Sequence, residues 1–417
     1  MKLSVINFYN NIQRVQTSTY NVPLVANQYS DGFKSSFKGY VSLTDSEKQA
    51  IEMLRSNKPE QPERIVMITD PNHDPDDLVT YVISAQLQKE GFIKMEAIVT
   101  TLGDQETRTK RAKFAKGAFN SLGLDDIQVG VGSDYKYYND KRVMADQKFF
   151  DDIDQNALRI VNDGSNINLN GQDLLLETFQ KAEDKSLTIA IIAGMTDIAK
   201  FISNHEELFK QKVEKVVIMG GIDSEFNSSG CIQPDELAYN NITDIDAAKE
   251  VFQKVQELEI PLITFPRESA YKAPLTPQFF KELSDTSHLI GKFLLGVFKD
   301  TFKGSWEIVT NGINPGRTAD WFFNRFTSLN PDNVTDKVII NNLKEENDPD
   351  KIFKYATKTN MYDPLTLLCS LGTDFCFNTE IVSKNQKSPV QIVHIKDSTM
   401  ASSLVSGLSK ISLNKGE

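Results

Sequence analysis

The 417-residue sequence is poor in the residues that build soft-metal and disulfide sites. It has three cysteines, Cys231, Cys369 and Cys376, and four histidines. No C-x-x-C pair occurs and no Cys/His cluster has zinc spacing, which argues against a zinc module or a disulfide framework. A reducing, cytoplasm-like compartment is the expectation. No apolar run approaches the ~18 residues of a membrane span. The opening MKLSVINFYNNIQ is interrupted by Asn7 before it forms the apolar core of a signal peptide. Three N-x-S/T matches, at Asn227, Asn241 and Asn333, are therefore read as chance. Basic excess is lacking too. The formal net charge is -11, so neither nucleic acid nor an anionic membrane surface is an expected partner.

What is present is an alternation. From Arg64 onward, short β-branched runs (RIVMIT, KMEAIVTT, IQVGVG, LTIAIIAG, VEKVVIMGG, IPLITFP) alternate with helical patterns such as DLVTYVISAQLQKEG and DIDAAKEVFQKVQEL. This predicts an α/β fold, an open and mostly parallel Rossmann-like sheet with helices on both faces. Residues 1–62, rich in Asn, Ser, Tyr and Gln with one helix near Leu43–Arg55, read as an N-terminal extension. Residues 63–417 read as the α/β domain. The small, polar residues from about 400 onward read as a mobile tail.

The unusual feature is RIVMITDPNHDPDDL. An apolar strand ends in four acids within eight residues: Asp70, Asp74, Asp76 and Asp77. Ligands of open α/β sheets bind at the carboxyl ends of strands. One acid ahead of a helix is ordinarily a cap, but capping does not need four. Packed carboxylates repel, and a hard divalent cation such as Ca2+, which takes about six to eight oxygens, relieves the repulsion. Other oxygen-bearing groups fall at strand ends: Asp104 after TTLG, the Ala193-Gly194 turn, Asn240 and Asn241 before the helix from Asp244, and Asp363 before the run Leu365–Leu371. For Asp363 the plain alternative is again an N-cap, with Pro364 opening the helix.

In this order the segments resemble the nucleoside hydrolases, calcium-dependent N-ribohydrolases with a Rossmann-like fold. The loop T69-D-P-N-H-D-P-D-D77 is similar to the family's D-x-D-P-G-x-D-D. It is two residues longer and has Ile68 in place of the first acid. AIVTTLGD104, AGMTDIA199, VVIMGG221, AYNNITDIDAA248 and MYDPLTL367 resemble further family landmarks over roughly Arg64–Ser370. The resemblance implies hydrolysis of the N-glycosidic bond of a nucleoside or related ribosyl compound. It implies Asp70 as metal ligand and water-activating base, and Asp77, Asp363 and the Ala193 carbonyl as further Ca2+ ligands. Asp76, Asn240 and Asp104 would contact ribose, and Glu236 lies near the position of a family glutamate. Tyr362 stands where many members carry the histidine that protonates the leaving base, and His73 in the longer loop is a second candidate donor. Trp306 and Trp321 fall in an aromatic stretch where the family places a lid over the base; the bland alternative is core packing. The resemblance also implies a homo-dimer or homo-tetramer.

Two other readings use the same residues. One is a ribose or nucleoside binder that keeps Ca2+ but has lost the leaving-group acid. The other is a phosphate-processing α/β protein, for which the D-x-D-x-T/V nucleophile motif is lacking.

Overall fold

The structure is a computed structural model that describes residues 41–71, 74–134, 166–383 and 389–414. All of them belong to one compact unit, Gly39–Glu417. The expectations for residues 1–40 and for His73 lie outside the described residues.

Among the described residues ten strands are formed, in chain order: β1 (Glu63–Thr69), β2 (Ile93–Thr100), β3 (Val129–Val131), β4 (Leu187–Ile191), β5 (Val213–Met219), β6 (Ile222–Phe226), β7 (Ile232–Pro234), β8 (Leu262–Phe265), β9 (Phe377–Ile381) and β10 (Val390–Ile395). Eight of them make the main sheet in the order β3-β2-β1-β4-β5-β8-β10-β9, and β6 with β7 makes a separate ribbon. Every neighbouring pair in the main sheet is parallel except β10 with β9. The predicted open, mostly parallel α/β sheet is thus the fold observed.

The strand β1 shows why the sequence reads as it does. Its side chains alternate between two cores: Ile65 and Met67 enter one, Val66 and Ile68 the other. Successive strand residues face opposite sides, so a strand covered on both faces must be apolar at every position. The sheet order also sets where a ligand can sit. From β1 the chain runs outward through β2 and β3, then returns to place β4 on the other side of β1. The carboxyl ends of β1 and β4 therefore flank the topological switch point, where a crevice opens.

The helix Asp76–Lys89 leaves this crevice and is buried almost all round, from Asp76 to Leu87. It packs against the helices Gln105–Ser121, Tyr362–Cys369 and Ser398–Leu413. The last of these corrects the expected mobile tail. Its small residues are packing residues: a Cβ on Gly407 would lie 2.8 Å from Ile51 Cδ1, so glycine there permits close approach to the helix Asp45–Ser56. The same interface buries Lys410, whose Nζ lies 2.7 Å from Glu47 and 2.6 Å from Glu282. Despite burial, that contact holds the Glu47 carboxyl below its usual range.

A third core lies in the helices Leu289–Thr310, Ala319–Phe326 and Val334–Glu346, built on Phe302, Trp306, Phe322 and Phe323. No helix of the described residues is long and apolar enough to cross a membrane.

Candidate active site

A cavity of about 400 Å3 opens at the switch point. Five carboxylates line it: Asp70, Asp74, Asp76, Asp77 and Asp363. β1 delivers Asp70, the first two residues of the helix Asp76–Lys89 deliver Asp76 and Asp77, and the helix Tyr362–Cys369 delivers Asp363. These four are 4–6% exposed. One oxygen from each of Asp76, Asp77 and Asp363 lies within 4.8 Å of the others.

Helix capping does not account for this cluster. The helix Asp76–Lys89 has Pro75 as its N-cap with no side-chain cap bond, and the helix Tyr362–Cys369 has Met361, likewise without one. Asp363 is therefore inside the first turn, not the N-cap its proline neighbour suggested. By contrast Asp104 is a cap: its carboxylate accepts from Thr107 N at 2.8 Å, which lowers its pKa. It is exposed and does not line the cavity.

Asp77 is fixed from below. Its Oδ1 accepts from the Thr69 hydroxyl and from Asp70 N at 3.3 Å. Because Thr69 gives its only proton to Asp77, Tyr81, 2.8 Å away, donates to Thr69. The fully buried Arg111 donates to the carbonyls of Thr101 and Leu102, at 3.0 and 2.5 Å, and its charge acts to lower the Asp77 pKa. Desolvation still wins. Burial first, and the neighbouring Asp74 next among the raising causes, push Asp77 up to about 7. Asp76 and Asp363 are raised well above the carboxylate range by burial and then by the surrounding aspartates. Like charges held this close, dry and in oxygen-only chemistry, are a donor set for a hard divalent cation.

The remaining sequence candidates divide. Asn240 lines the cavity, and its amide is oriented by donation to Met219 O at 3.2 Å. Trp321 and Tyr362 line it as well. Ala193 is fully buried just beyond β4, next to the cavity-lining Ile192. Trp306 is not at the cavity: it is 2% exposed in the helical core, with Nε1 donating to Asn347 at 2.8 Å. Glu236 is exposed and ion-paired with Lys249.

The sequence reading missed the cations of the cavity. Arg267, Arg317 and Arg325 line the same cavity. Arg325 Nη2 donates to the Tyr362 hydroxyl at 2.5 Å, and its guanidinium stacks on Tyr271, 3.1 Å from the ring centroid. The one available signal was a lone arginine among aromatics in WFFNRF.

A buried carboxylate cluster at the switch point of a parallel α/β sheet, facing a cavity of small-ligand size, has the donor chemistry for a hard cation beside a small molecule. Residues 65–409 match the family described as inosine-uridine preferring nucleoside hydrolase, and the chain belongs to that family. Among solved structures it is similar to the type III effector protein XopQ, solved in complex with adenosine diphosphate ribose. That pair is 34% identical, with a TM-score of 0.77, covering 89% of this chain and 100% of the other. It shares its fold with a purine-preferring ribonucleoside hydrolase from Gardnerella vaginalis at 15% identity, with a TM-score of 0.53 and coverage of 84% and 99%. A plant nucleoside hydrolase aligns at 14% identity with a TM-score of 0.52, over the same 84% and 99%. No curated protein matches the sequence.

Proposed function

We propose that the chain hydrolyses the N-glycosidic bond of a small ribosyl compound, with Ca2+ as its cation. The observation that carries this is the set of five carboxylates around one cavity. Cleavage of the bond passes through an oxocarbenium-like transition state, and positive charge developing on the ribosyl ring is stabilised by carboxylates already in place.

Asp70 is the base: it takes a proton from the water that attacks the anomeric carbon. Asp76 accepts from a ribose hydroxyl, and Asn240 contacts the sugar from the β5 side. Asp76, Asp77 and Asp363 are the side chains that would hold the cation, with the Ala193 carbonyl adjacent. When bound, Ca2+ supplies Lewis-acid polarisation at the ribose hydroxyls and lowers the pKa of water. Tyr362 takes the place of the leaving-group histidine. Arg325 donates to its oxygen, so the phenol proton remains free to bond the departing nitrogen. Trp321 offers an aromatic face to a planar base.

The relative solved with adenosine diphosphate ribose supports extending the substrate class from nucleosides to larger ribosyl conjugates. A second reading, a binder that does not turn over, is favoured by one observation: burial raises the Tyr362 hydroxyl pKa, which makes it a weaker acid. Comparing wild type with Asp70→Asn for release of reducing ribose separates the two. The hydrolase reading expects at least a hundredfold loss, about 3 kcal/mol. Equal rates would remove Asp70 as the base, and no release from wild type on any ribosyl compound would favour the binder.

A further inference from the structure

We infer that Arg325, with Arg317 lining the same cavity, forms a phosphate subsite, so that the ribosyl compound bound carries a phosphate group. The inference rests on the reading of the cavity as a ribosyl site and adds a substrate class to it.

Arg325 is half-buried on the helix Ala319–Phe326. Its partners are the Tyr362 hydroxyl and the face of Tyr271. Both are neutral, and no carboxylate lies within ion-pair distance of it among the described residues. The other two cavity arginines differ. Arg267 pairs with Glu268 at 2.8 Å and lies 3.9 Å from Asp235. Arg317 stands over Trp321, 5.5 Å from the ring centroid, and its charge reaches Asp74. Arg325 is thus a cation at the cavity wall whose direct contacts among the described residues are neutral.

A hydroxyl and a ring could be bridged by a neutral side chain; a guanidinium there has a further use. Its planar fork matches the oxygens of a phosphate, and such charge-assisted bonds are about twice as strong as neutral ones. Stacking on Tyr271 fixes the plane of the fork, so less side-chain freedom is lost on binding. Phosphate esters and diphosphates are the common anionic groups of ribosyl compounds. The carboxylates of the cavity suit hydroxyls and a cation, and its arginines suit the phosphate. The two chemistries meet at adjacent residues, since Tyr362 touches Arg325 and Asp363 belongs to the cation cluster.

The test is calorimetric titration of the full chain with adenosine and with adenosine 5′-diphosphate, at one fixed Ca2+ concentration and again in chelator. The diphosphate is expected to bind at least tenfold more tightly than adenosine under both conditions. Arg325→Gln should collapse that ratio toward one, and Arg325→Lys should keep part of it. If Arg325→Gln does not fold, Arg317→Gln should still lower the ratio, and inorganic pyrophosphate should compete with the diphosphate on wild type. Equal affinity for the two ligands, no binding of the diphosphate, or a ratio unchanged in the folded variants would overturn the subsite. Because binding is read without turnover, an arginine-dependent preference with no ribose released would sink the hydrolase reading and leave the subsite standing. Ribose release from nucleosides with no diphosphate preference would do the reverse.

Discussion

Replacing Asp77 by asparagine should stabilise the metal-free protein and abolish its stabilisation by Ca2+. Asparagine keeps an Oδ1 that can accept from Thr69 and from Asp70 N, so the local bonds survive while the charge goes. The Asp77 pKa rises from 3.8 to about 7. At about 1.4 kcal/mol per pH unit, ionising it above pH 7 costs up to about 4 kcal/mol. Discounting for relaxation of the cluster leaves about 2–4 kcal/mol. Unfolding entropy scales with length, so 1 kcal/mol shifts Tm by about 1–1.5 °C in a unit of this size. In chelator at pH 8, Asp77→Asn should therefore melt about 3–5 °C above wild type. Saturating Ca2+ should reverse the order, raising wild type and barely moving the variant. Thermal melts by circular dichroism read both. A variant that melts at or below wild type in chelator, with Ca2+ shifting both equally, would refute the claim that these carboxylates repel in wait for a cation.

The same carboxylates give a pH dependence. A pKa raised in the folded state contributes stability below the unfolded value that is lost as pH rises through the folded one. Metal-free stability should thus fall between about pH 4 and 7, while the Ca2+-induced gain grows over that interval; melts across a pH series check both signs. Tyr362→Phe should lower kcat by more than about tenfold if the phenol proton assists departure of the base, and a loss under about threefold would dismiss it. Lys410→Met leaves Glu47 buried without its cation. It should cost about 3–5 kcal/mol, read from the midpoint of denaturant unfolding.

The sheet and the aspartate loop were legible because their signals are local. A strand buried on both faces must be apolar throughout, and Ile65–Ile68 is; an acid cluster at its end needs a reason, and the cavity supplies one. Asp363 stands alone at the start of its helix, and only the resemblance to the family's D-P-L element put it with the others. What failed depended on partners distant in sequence. Asp104 and Asp77 both stand near helix starts, and only the folded chain shows that Asp104 caps while Asp77 faces its fellow aspartates. Trp306 and Trp321 share one aromatic stretch, but helix packing sends the first into the core and the second to the cavity. The serines and glycine of Ser398–Leu413 look solvent-facing until the helix Asp45–Ser56, more than 340 residues earlier, is laid against them. Arg325 carries only a faint local mark, a lone arginine among aromatics, because its meaning comes from Tyr271 and Tyr362.

The measurement that tests hydrolysis at this carboxylate site most directly is release of free reducing ribose from a panel of nucleosides and ribosyl phosphates, with Ca2+ and with chelator. Release that chelator abolishes and Ca2+ restores is the predicted result. Release that persists in chelator, or none from any compound while calorimetry still shows ribosyl binding, would contradict it.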